Sequence, residues 1–205
     1  MVEVLDCSLE SLAKAAEAVA RGGLIVYPTD TVYGLGCNPY HGEAVKRVFE
    51  VKGRMGKPLP LLVSSPHEAF RIAEFNPNAL KAAGLFWPGA LTLVLKAKPQ
   101  APRGLGGGSL IGVRWPRHRE ACRLIMLCGG LLVGTSANPT GEPPALTAEE
   151  AEDKLGGSVD LILDGGRAPL GKPSTVLDLS NSKPKLLRVG VISEREILEG
   201  LDLGG

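Results

Sequence analysis

One segment, residues 24–36, constrains the fold more than any other part of the chain. Its sequence, LIVYPTDTVYGLG, runs from apolar residues into small hydroxyl residues and one carboxylate, and then into glycines. A buried strand that ends in small polar side chains is typical of α/β proteins, which bind ligands at the ends of strands. Pro, Asp and Gly are also ordinary turn residues, so the segment alone is as consistent with a plain strand followed by a turn as with a ligand site.

Helical and strand patterns alternate along the rest of the chain. Capping residues such as Ser8 and the pairs Thr147/Glu150 and Ser193/Glu196 indicate where helices begin. Helices are predicted over residues 9–20, 42–51, 66–75, 77–86, 119–128 and 148–155, and from 194 onward. Strands are predicted over residues 24–27, 60–63, 91–96, 110–114, 131–134, 159–163, 175–179 and 185–189. The pattern predicts an α/β fold with one domain over residues 1–205, in which helices flank a twisted sheet of mixed parallel and antiparallel strands.

Composition excludes several classes of protein. The 23 Lys and Arg nearly balance the 22 Asp and Glu, which argues against a uniformly basic nucleic-acid surface but leaves a local basic patch open. The cysteines form no CxxC pair and the histidines lack metal-ligand spacing, so no metal site is predicted. No apolar run reaches the roughly 18–20 residues of a membrane helix, and the N-terminus has no basic region typical of a secretion signal. We therefore expect a cytoplasmic protein that makes no membrane contact.

Cations cluster after the helix predicted over residues 42–51. Lys52, Gly53 and Arg54 come first, and Lys57 lies three residues further on. Lysine supplies a point charge and arginine a planar fork, so this group fits a polyphosphate. A solvated basic helix end, which the helix dipole favours, would have the same sequence pattern.

Two other predicted strands adjoin small polar residues. The strand at 131–134 runs into GTSANPTG at 134–141, where small residues permit close approach of a ligand and Ser136 and Asn138 can form hydrogen bonds. The segment PSTV at 173–176 places hydroxyls at the start of another strand. Both segments are also consistent with ordinary turns. Hydroxyls, amides and cations at strand ends suit the positioning of a phosphate-bearing ligand better than proton abstraction.

Arg114 ends the apolar strand predicted over residues 110–114. There it can bind a carboxylate in a bidentate way, although an exposed arginine on an edge strand would have the same sequence pattern. The glycine run at 104–108 does not fit a dinucleotide fingerprint, because a loop precedes it and a strand follows it. We interpret segment 99–109 as a flexible loop and a candidate lid.

Taken together, six motifs resemble the YrdC-like threonylcarbamoyl-AMP synthase family, in its short single-domain form. They are YPTDTVYGLG at 27–36, KGR at 52–54 with KPL at 57–59, WPGALTLVL at 87–95, GVRWP at 112–116, TSANPTGE at 135–142 and PSTVLDL at 173–179. The resemblance implies an enzyme that makes threonylcarbamoyl-adenylate and pyrophosphate from ATP, L-threonine and bicarbonate. It also implies partner proteins that transfer the threonylcarbamoyl group to an adenosine of tRNA.

The resemblance also implies roles for individual residues. The ATP phosphates would be neutralised by the catalytic cations Lys52 and Arg54. Further ATP contacts would come from Lys57, Gly134, Ser136, Asn138, Pro144 and Arg188. Threonine would be bound by Thr31, Tyr33, Arg114 and Ser174, with its carboxylate on Arg114. Mg²⁺ would arrive with ATP, since the sequence contains no evident metal cage.

Two alternatives remain open from the sequence. The first is a non-catalytic module that binds double-stranded RNA or tRNA through a basic face. Its candidate cations are Lys46, Arg47, Lys52, Arg54, Lys57, Arg103, Arg114 and Arg117. The second is a related carbamoyl-adenylate activity, like that of hydrogenase-maturation proteins, which carry additional domains.

Overall fold

The computed structural model describes residues 2–53 and 57–202, in which helices alternate with short strands. The helices are α1 (Leu9–Ala20), α2 (Gly42–Val51), α3 (Pro66–Ile72), α4 (Pro77–Phe86), α5 (Arg119–Leu127), α6 (Ala148–Leu155) and α7 (Glu194–Gly200). The strands are β1 (Glu3–Asp6), β2 (Ile25–Tyr27), β3 (Gly34–Gly36), β4 (Leu61–Val63), β5 (Leu91–Lys96), β6 (Leu110–Arg114), β7 (Leu131–Val133), β8 (Thr135–Ser136), β9 (Leu161–Asp164), β10 (Thr175–Asp178) and β11 (Lys185–Arg188).

The strands of the described residues form two sheets. One has the order β1-β9-β2-β3-β8 and the other the order β11-β10-β5-β6-β4-β7. Both sheets are mixed: β5 pairs parallel with β10 and antiparallel with β6, and β2 pairs parallel with β9 and antiparallel with β3. The predicted class, α/β with mixed parallel and antiparallel pairing, is confirmed. The strands divide between two sheets, whereas the sequence suggested one.

Capping side chains begin the helices where the sequence predicts them. Ser193 accepts a hydrogen bond from the Glu196 amide at 3.3 Å, and the Glu196 carboxylate accepts from the Ser193 amide at 2.8 Å, which completes a capping box. Thr147 caps α6, but the Glu150 carboxylate accepts from the Leu146 amide instead, at 2.7 Å. Only half of that predicted box therefore forms.

Two apolar clusters hold the elements together. In the smaller one, α1 and α5 pack side by side, and Leu12 and Leu124 are fully buried there with Tyr27 of β2. The larger cluster contains the remaining core residues of both sheets. Because it includes buried residues of β3 and β5 such as Leu35 and Leu93, both sheets contribute to a common core.

The largest differences from prediction are local. The helix predicted over residues 66–75 ends at Ile72, because Ala73 is extended (φ −133°, ψ 150°) and forms an antiparallel bridge with Ala97. Strands β1, β3 and β8 were missed; they have four, three and two residues, respectively. Segment 99–109 packs onto the fold, since the Leu59 amide donates to the oxygen of Leu105 at 2.8 Å and Leu105 is buried.

Candidate active site

A cavity of about 400 Å³ is lined by residues from both sheets. Its volume is in the range of small-molecule sites, about 300–1,000 Å³. The small polar residues that the sequence places at strand ends, as candidate ligand sites, lie together here, since Thr31, Ser136 and Ser174 all line the cavity. Two arginines, Arg114 and Arg188, give the cavity a cationic character.

Arg114 is held by three different acceptors. Its Nε donates to the backbone oxygen of Gly89 at 2.8 Å, its Nη1 to the Thr31 hydroxyl at 2.9 Å, and its Nη2 to the Asp30 carboxylate. Burial lowers the pKa of Arg114, and the negative charge of Asp30 opposes that shift. A guanidinium has five N–H donors, so two remain, one on each terminal nitrogen. Because Arg114 lines the cavity, a ligand carboxylate there would meet a guanidinium with two donors not used by these three bonds.

The hydroxyl of Thr31 keeps one acceptor position at the cavity wall. Thr29 Oγ1 donates its one proton to the oxygen of Val32 at 2.6 Å and accepts from the amides of Thr31 and Val32 at 3.1 and 3.3 Å. The Thr31 oxygen lies 3.0 Å from it and accepts from Arg114 at 2.9 Å, which leaves one lone pair on Thr31. Thr31 thus suits a ligand ammonium or hydroxyl group.

Ser174 and Arg188 form another part of the cavity wall. The Nε and Nη2 of Arg188 donate to the backbone oxygen of Ser174 at 3.1 and 2.9 Å. The Ser174 hydroxyl lies 2.8 Å from the hydroxyl of Thr92 on β5. Burial lowers the pKa of Arg188. The arrangement fixes one cation on β11, one hydroxyl on β5 and one hydroxyl just before β10.

Lys52, at the end of α2, holds the loop that follows β8. It is 2% exposed, and its Nζ donates to the backbone oxygens of Ser136 at 2.6 Å and Asn138 at 2.5 Å. The Thr140 amide returns a bond to the Lys52 oxygen at 3.0 Å. The ammonium therefore shapes the loop that carries Ser136 to the cavity.

Asn138 is engaged within the same loop. Its Nδ2 donates to the oxygens of Pro139 and Glu142, both at 2.8 Å, and its Oδ1 lies 3.3 Å from the Lys52 ammonium. The side chain is buried. Asn138 thus stabilises the loop geometry from behind the cavity wall.

Tyr33 lines the cavity and connects it to the loop after β9. Its hydroxyl donates to the oxygen of Gly166 at 2.7 Å and accepts from the Gly165 amide at 3.2 Å. Burial raises the pKa of Tyr33 to about 12, so the phenol stays neutral at physiological pH. Its role in the described structure is to form a wall and to hold that loop.

Gly134 allows a close approach between β7 and β4. A Cβ built on Gly134 would lie 2.4 Å from the Cγ of Leu62, a distance that real Cβ atoms do not show. Both residues line the cavity. A side chain at position 134 would therefore displace Leu62 or the strand end that leads to Ser136.

Comparisons with known proteins identify the family of this chain. A model of the Sua5/YciO/YrdC family, described as "Telomere recombination", matches residues 17–190. The chain belongs to this family. A threonylcarbamoyl-AMP synthase of Pyrococcus abyssi is 40% identical over 89% of this chain, which spans 55% of that protein's length. A putative threonylcarbamoyl-AMP synthase of Mycobacterium tuberculosis is 36% identical over 98% of this chain and 96% of its own length.

The fold is also that of a solved Sua5/YciO/YrdC protein. The crystal structure of P. abyssi Sua5 complexed with L-threonine aligns with a TM-score of 0.90 at 36% identity and covers 98% of this chain. The chain spans 60% of that protein. The resemblance inferred from the six motifs is confirmed at the level of the family.

The structure brings most of the family-implied residues of this Sua5/YciO/YrdC chain together. Those that line the cavity are Thr31, Tyr33, Arg114, Gly134, Ser136, Ser174 and Arg188. Lys52 and Asn138 contact Ser136 or its loop from behind. Lys57 is exposed and Pro144 half-buried, and neither lines the cavity. Arg54 lies outside the described residues, so its role stays a prediction.

Sequence reasoning missed several residues of the cavity wall. Among them are Thr92 and Val94 of β5, whose side chains alternate with the buried Leu91, Leu93 and Leu95. That two-residue period was a usable signal, because alternate residues of a strand face opposite sides of the sheet. Gly106 and Gly107 of segment 99–109 also line the cavity.

Four of the cations considered for an RNA-binding face are either buried or paired with a carboxylate. Lys52 and Arg114 are only 2% and 5% exposed, so neither belongs to an open surface. Lys46 and Arg47 are paired with Glu43 and Asp160 at 2.7 and 3.1 Å.

Over residues 2–53 and 57–202, His, Cys, Asp and Glu side chains form no group of three or more that could hold a metal ion. The described helices are too short or too polar to cross a membrane.

Proposed function

We propose that this chain is a threonylcarbamoyl-AMP synthase, a nucleotidyltransferase that makes threonylcarbamoyl-adenylate and pyrophosphate from ATP, L-threonine and bicarbonate. The observation that carries the proposal is Arg114, a buried guanidinium with two remaining donors at a cavity wall beside the acceptor Thr31. An amino acid has the matching groups, a carboxylate and a nearby ammonium. The names of the P. abyssi and M. tuberculosis relatives and the threonine bound to P. abyssi Sua5 support the same assignment.

The amino-acid end of the site uses Arg114, Thr31 and Ser174. The carboxylate of threonine pairs with Arg114, because charge-assisted bidentate bonds are about twice as strong as neutral ones. Thr31 accepts from the ammonium or hydroxyl of threonine. Ser174 supplies a further hydroxyl for binding threonine, and Tyr33 forms part of the pocket wall.

The nucleotide end uses the loop after β8 and Arg188. Lys52 fixes this loop, so that Ser136 faces the cavity while Asn138 braces the loop. Arg188 adds a second positive charge at the cavity wall. We propose that these groups bind ATP together with Lys57, Pro144 and Arg54, of which Arg54 lies outside the described residues.

The reaction requires anionic groups to be held close together. The amine of threonine combines with bicarbonate to give a carbamate and water, with loss of the ammonium proton. A carbamate oxygen then attacks the α-phosphorus of ATP, and pyrophosphate leaves. Fixed cations and dipoles lower the barrier of such a step more than acid or base catalysis does.

Mg²⁺ would enter with ATP on the phosphate oxygens, since this ion binds nucleotides through one or two carboxylates and substrate phosphates. Asp178 is the one carboxylate among the described residues that line the cavity. We further propose that the product passes to threonylcarbamoyl-transfer proteins acting on tRNA in the cytoplasm.

The proposal is tested by pyrophosphate release from purified protein with ATP, Mg²⁺ and bicarbonate. Release should depend on L-threonine and fall to background when threonine is replaced by its methyl ester, which lacks the carboxylate for Arg114. Release that is equal with and without threonine would contradict the proposal. Salt-dependent RNA binding without any release would favour the binding-module alternative.

A further inference from the structure

Asp30 and Arg114 form a buried ion pair at the wall of the cavity. Their side chains are 5% and 6% exposed, and 84 residues separate them in the sequence. A buried pair of this kind adds little to stability compared with apolar residues, because desolvating two charges offsets most of their attraction. Stability therefore does not by itself explain a carboxylate at position 30.

The second carboxylate oxygen of Asp30 also speaks against a purely stabilising role. Oδ2 is buried and has no hydrogen-bond partner among the described residues. Buried acceptors are nearly always satisfied in folded proteins, and an unsatisfied one is destabilising. The carboxylate thus persists at a cost in stability, as expected for a residue that serves the site.

The contacts of Arg114 show what the carboxylate does. Gly89 and Thr31 offer neutral acceptors to Nε and Nη1, and Asp30 offers the only charged one among the described partners, to Nη2. Three acceptors on three nitrogens fix both the plane of the guanidinium and its rotation. The two N–H donors that remain therefore have set directions before a ligand arrives.

We propose that Asp30 is a positioning residue that locks the Arg114 guanidinium in the orientation that receives a ligand carboxylate. The proposal rests on the proposed function, in which that carboxylate belongs to L-threonine. A preorganised donor pair binds more tightly, because the side chain loses no further freedom on binding. Asp30 also compensates part of the positive charge that Arg114 and Arg188 place in one cavity.

The test compares Asp30→Asn with Asp160→Asn. Asparagine keeps the shape and one acceptor at position 30 but removes the charge. Asp160 pairs with Arg47 at 3.1 Å and accepts from the Leu24 amide at 2.7 Å. Asparagine keeps one oxygen for that amide, so D160N controls for the loss of one negative charge. In D30N the KM and the calorimetric Kd for L-threonine should rise about tenfold or more, while kcat at saturating threonine and the KM for ATP stay within about twofold. D30E should recover part of the threonine affinity.

A merely structural role of Asp30 would lower kcat and affect both substrates alike. Threonine affinity that is unchanged in folded D30N would overturn the inference and leave the proposed function intact. Failure of the wild-type protein to bind threonine at all would overturn the proposed function itself.

A second measurement uses the wild-type protein and does not depend on the folding of D30N. In ¹⁵N NMR of the ligand-free protein, the Arg114 side chain, assigned by comparison with R114K, should show separate Nη signals and slow rotation. Averaged Nη signals, as expected of a solvent-exposed arginine, would overturn the proposed positioning role.

Discussion

The ammonium of Lys52 donates to the backbone oxygen of Asn138 at 2.5 Å, and so ties the end of α2 to the loop after β8. In Lys52→Met the oxygen of Asn138 loses its donor, and an unpaired buried acceptor costs about 1–3 kcal/mol. We expect the free energy of unfolding to fall by about that amount and pyrophosphate release to be lost. Chemical denaturation and the release assay measure the two effects. Lys14→Met is the control, since Lys14 forms an exposed pair with Glu3 at 2.6 Å. Equal behaviour of both variants would contradict the role of Lys52.

Arg114→Lys should raise the KM for threonine about tenfold or more, because lysine cannot reproduce a bidentate fork and charge-assisted bonds contribute about 1.5–3 kcal/mol. The KM for ATP should change little. Steady-state kinetics with each substrate varied in turn separates the two effects. Arg117→Lys is the neighbouring control, since Arg117 is exposed and makes one bond, to the oxygen of Pro88 at 3.0 Å. An unaltered threonine requirement in R114K would show that the carboxylate binds elsewhere.

Gly134→Ala should destabilise the protein by about 1–3 kcal/mol, as overpacking of a well-packed core does. The added Cβ meets Leu62 Cγ at 2.4 Å, and activity should fall because Ser136 moves with the strand end. The double variant G134A/L62A should be less destabilised than the sum of its single variants. Gly84→Ala, in α4 with open space around it, should instead gain up to about 1 kcal/mol from helix propensity.

Stability at acid pH should depend on His118. This residue caps α5 by accepting from the Ala121 amide at 3.2 Å, and burial lowers its pKa, although Glu120 and Asp30 partly oppose the shift. The unfolded chain then binds a proton more readily, so stability is lost as pH falls below the ordinary histidine value of about 6.5. His118→Asn keeps a capping oxygen without titrating. Denaturation between pH 7 and pH 5 should show a smaller decline for H118N than for the wild type, and parallel declines would contradict this assignment.

Local signals in the sequence predicted many elements accurately, because caps and side-chain periods act over a few residues. Helix α2 and strands β5 and β6 have the predicted bounds, Gly42–Val51, Leu91–Lys96 and Leu110–Arg114. Strands β3 and β8 were missed because they are only three and two residues long, and β3 consists of two glycines around Leu35. Such short segments form strands because they pair with neighbouring strands, not because their residues have a high intrinsic strand propensity.

The candidate site was predictable only in part. Small polar residues at the strand ends indicated a ligand site by their residue type, and the structure places Thr31, Ser136 and Ser174 around one cavity. The sequence did not indicate that Asp30 meets Arg114, because the pairing depends on how segments far apart in the chain approach each other. It also did not indicate that the Lys52 ammonium donates to the oxygens of Ser136 and Asn138, since the same residue types would serve equally well as direct ligands of phosphate.

The most direct measurement of the central claim is mass spectrometry of the product made from ATP, Mg²⁺, L-threonine and ¹³C-bicarbonate. The account predicts threonylcarbamoyl-adenylate that carries the label in its carbamoyl carbon, formed in step with pyrophosphate and absent without threonine. Pyrophosphate formed without any labelled adenylate, or an adenylate of threonine that lacks the carbamoyl carbon, would contradict it.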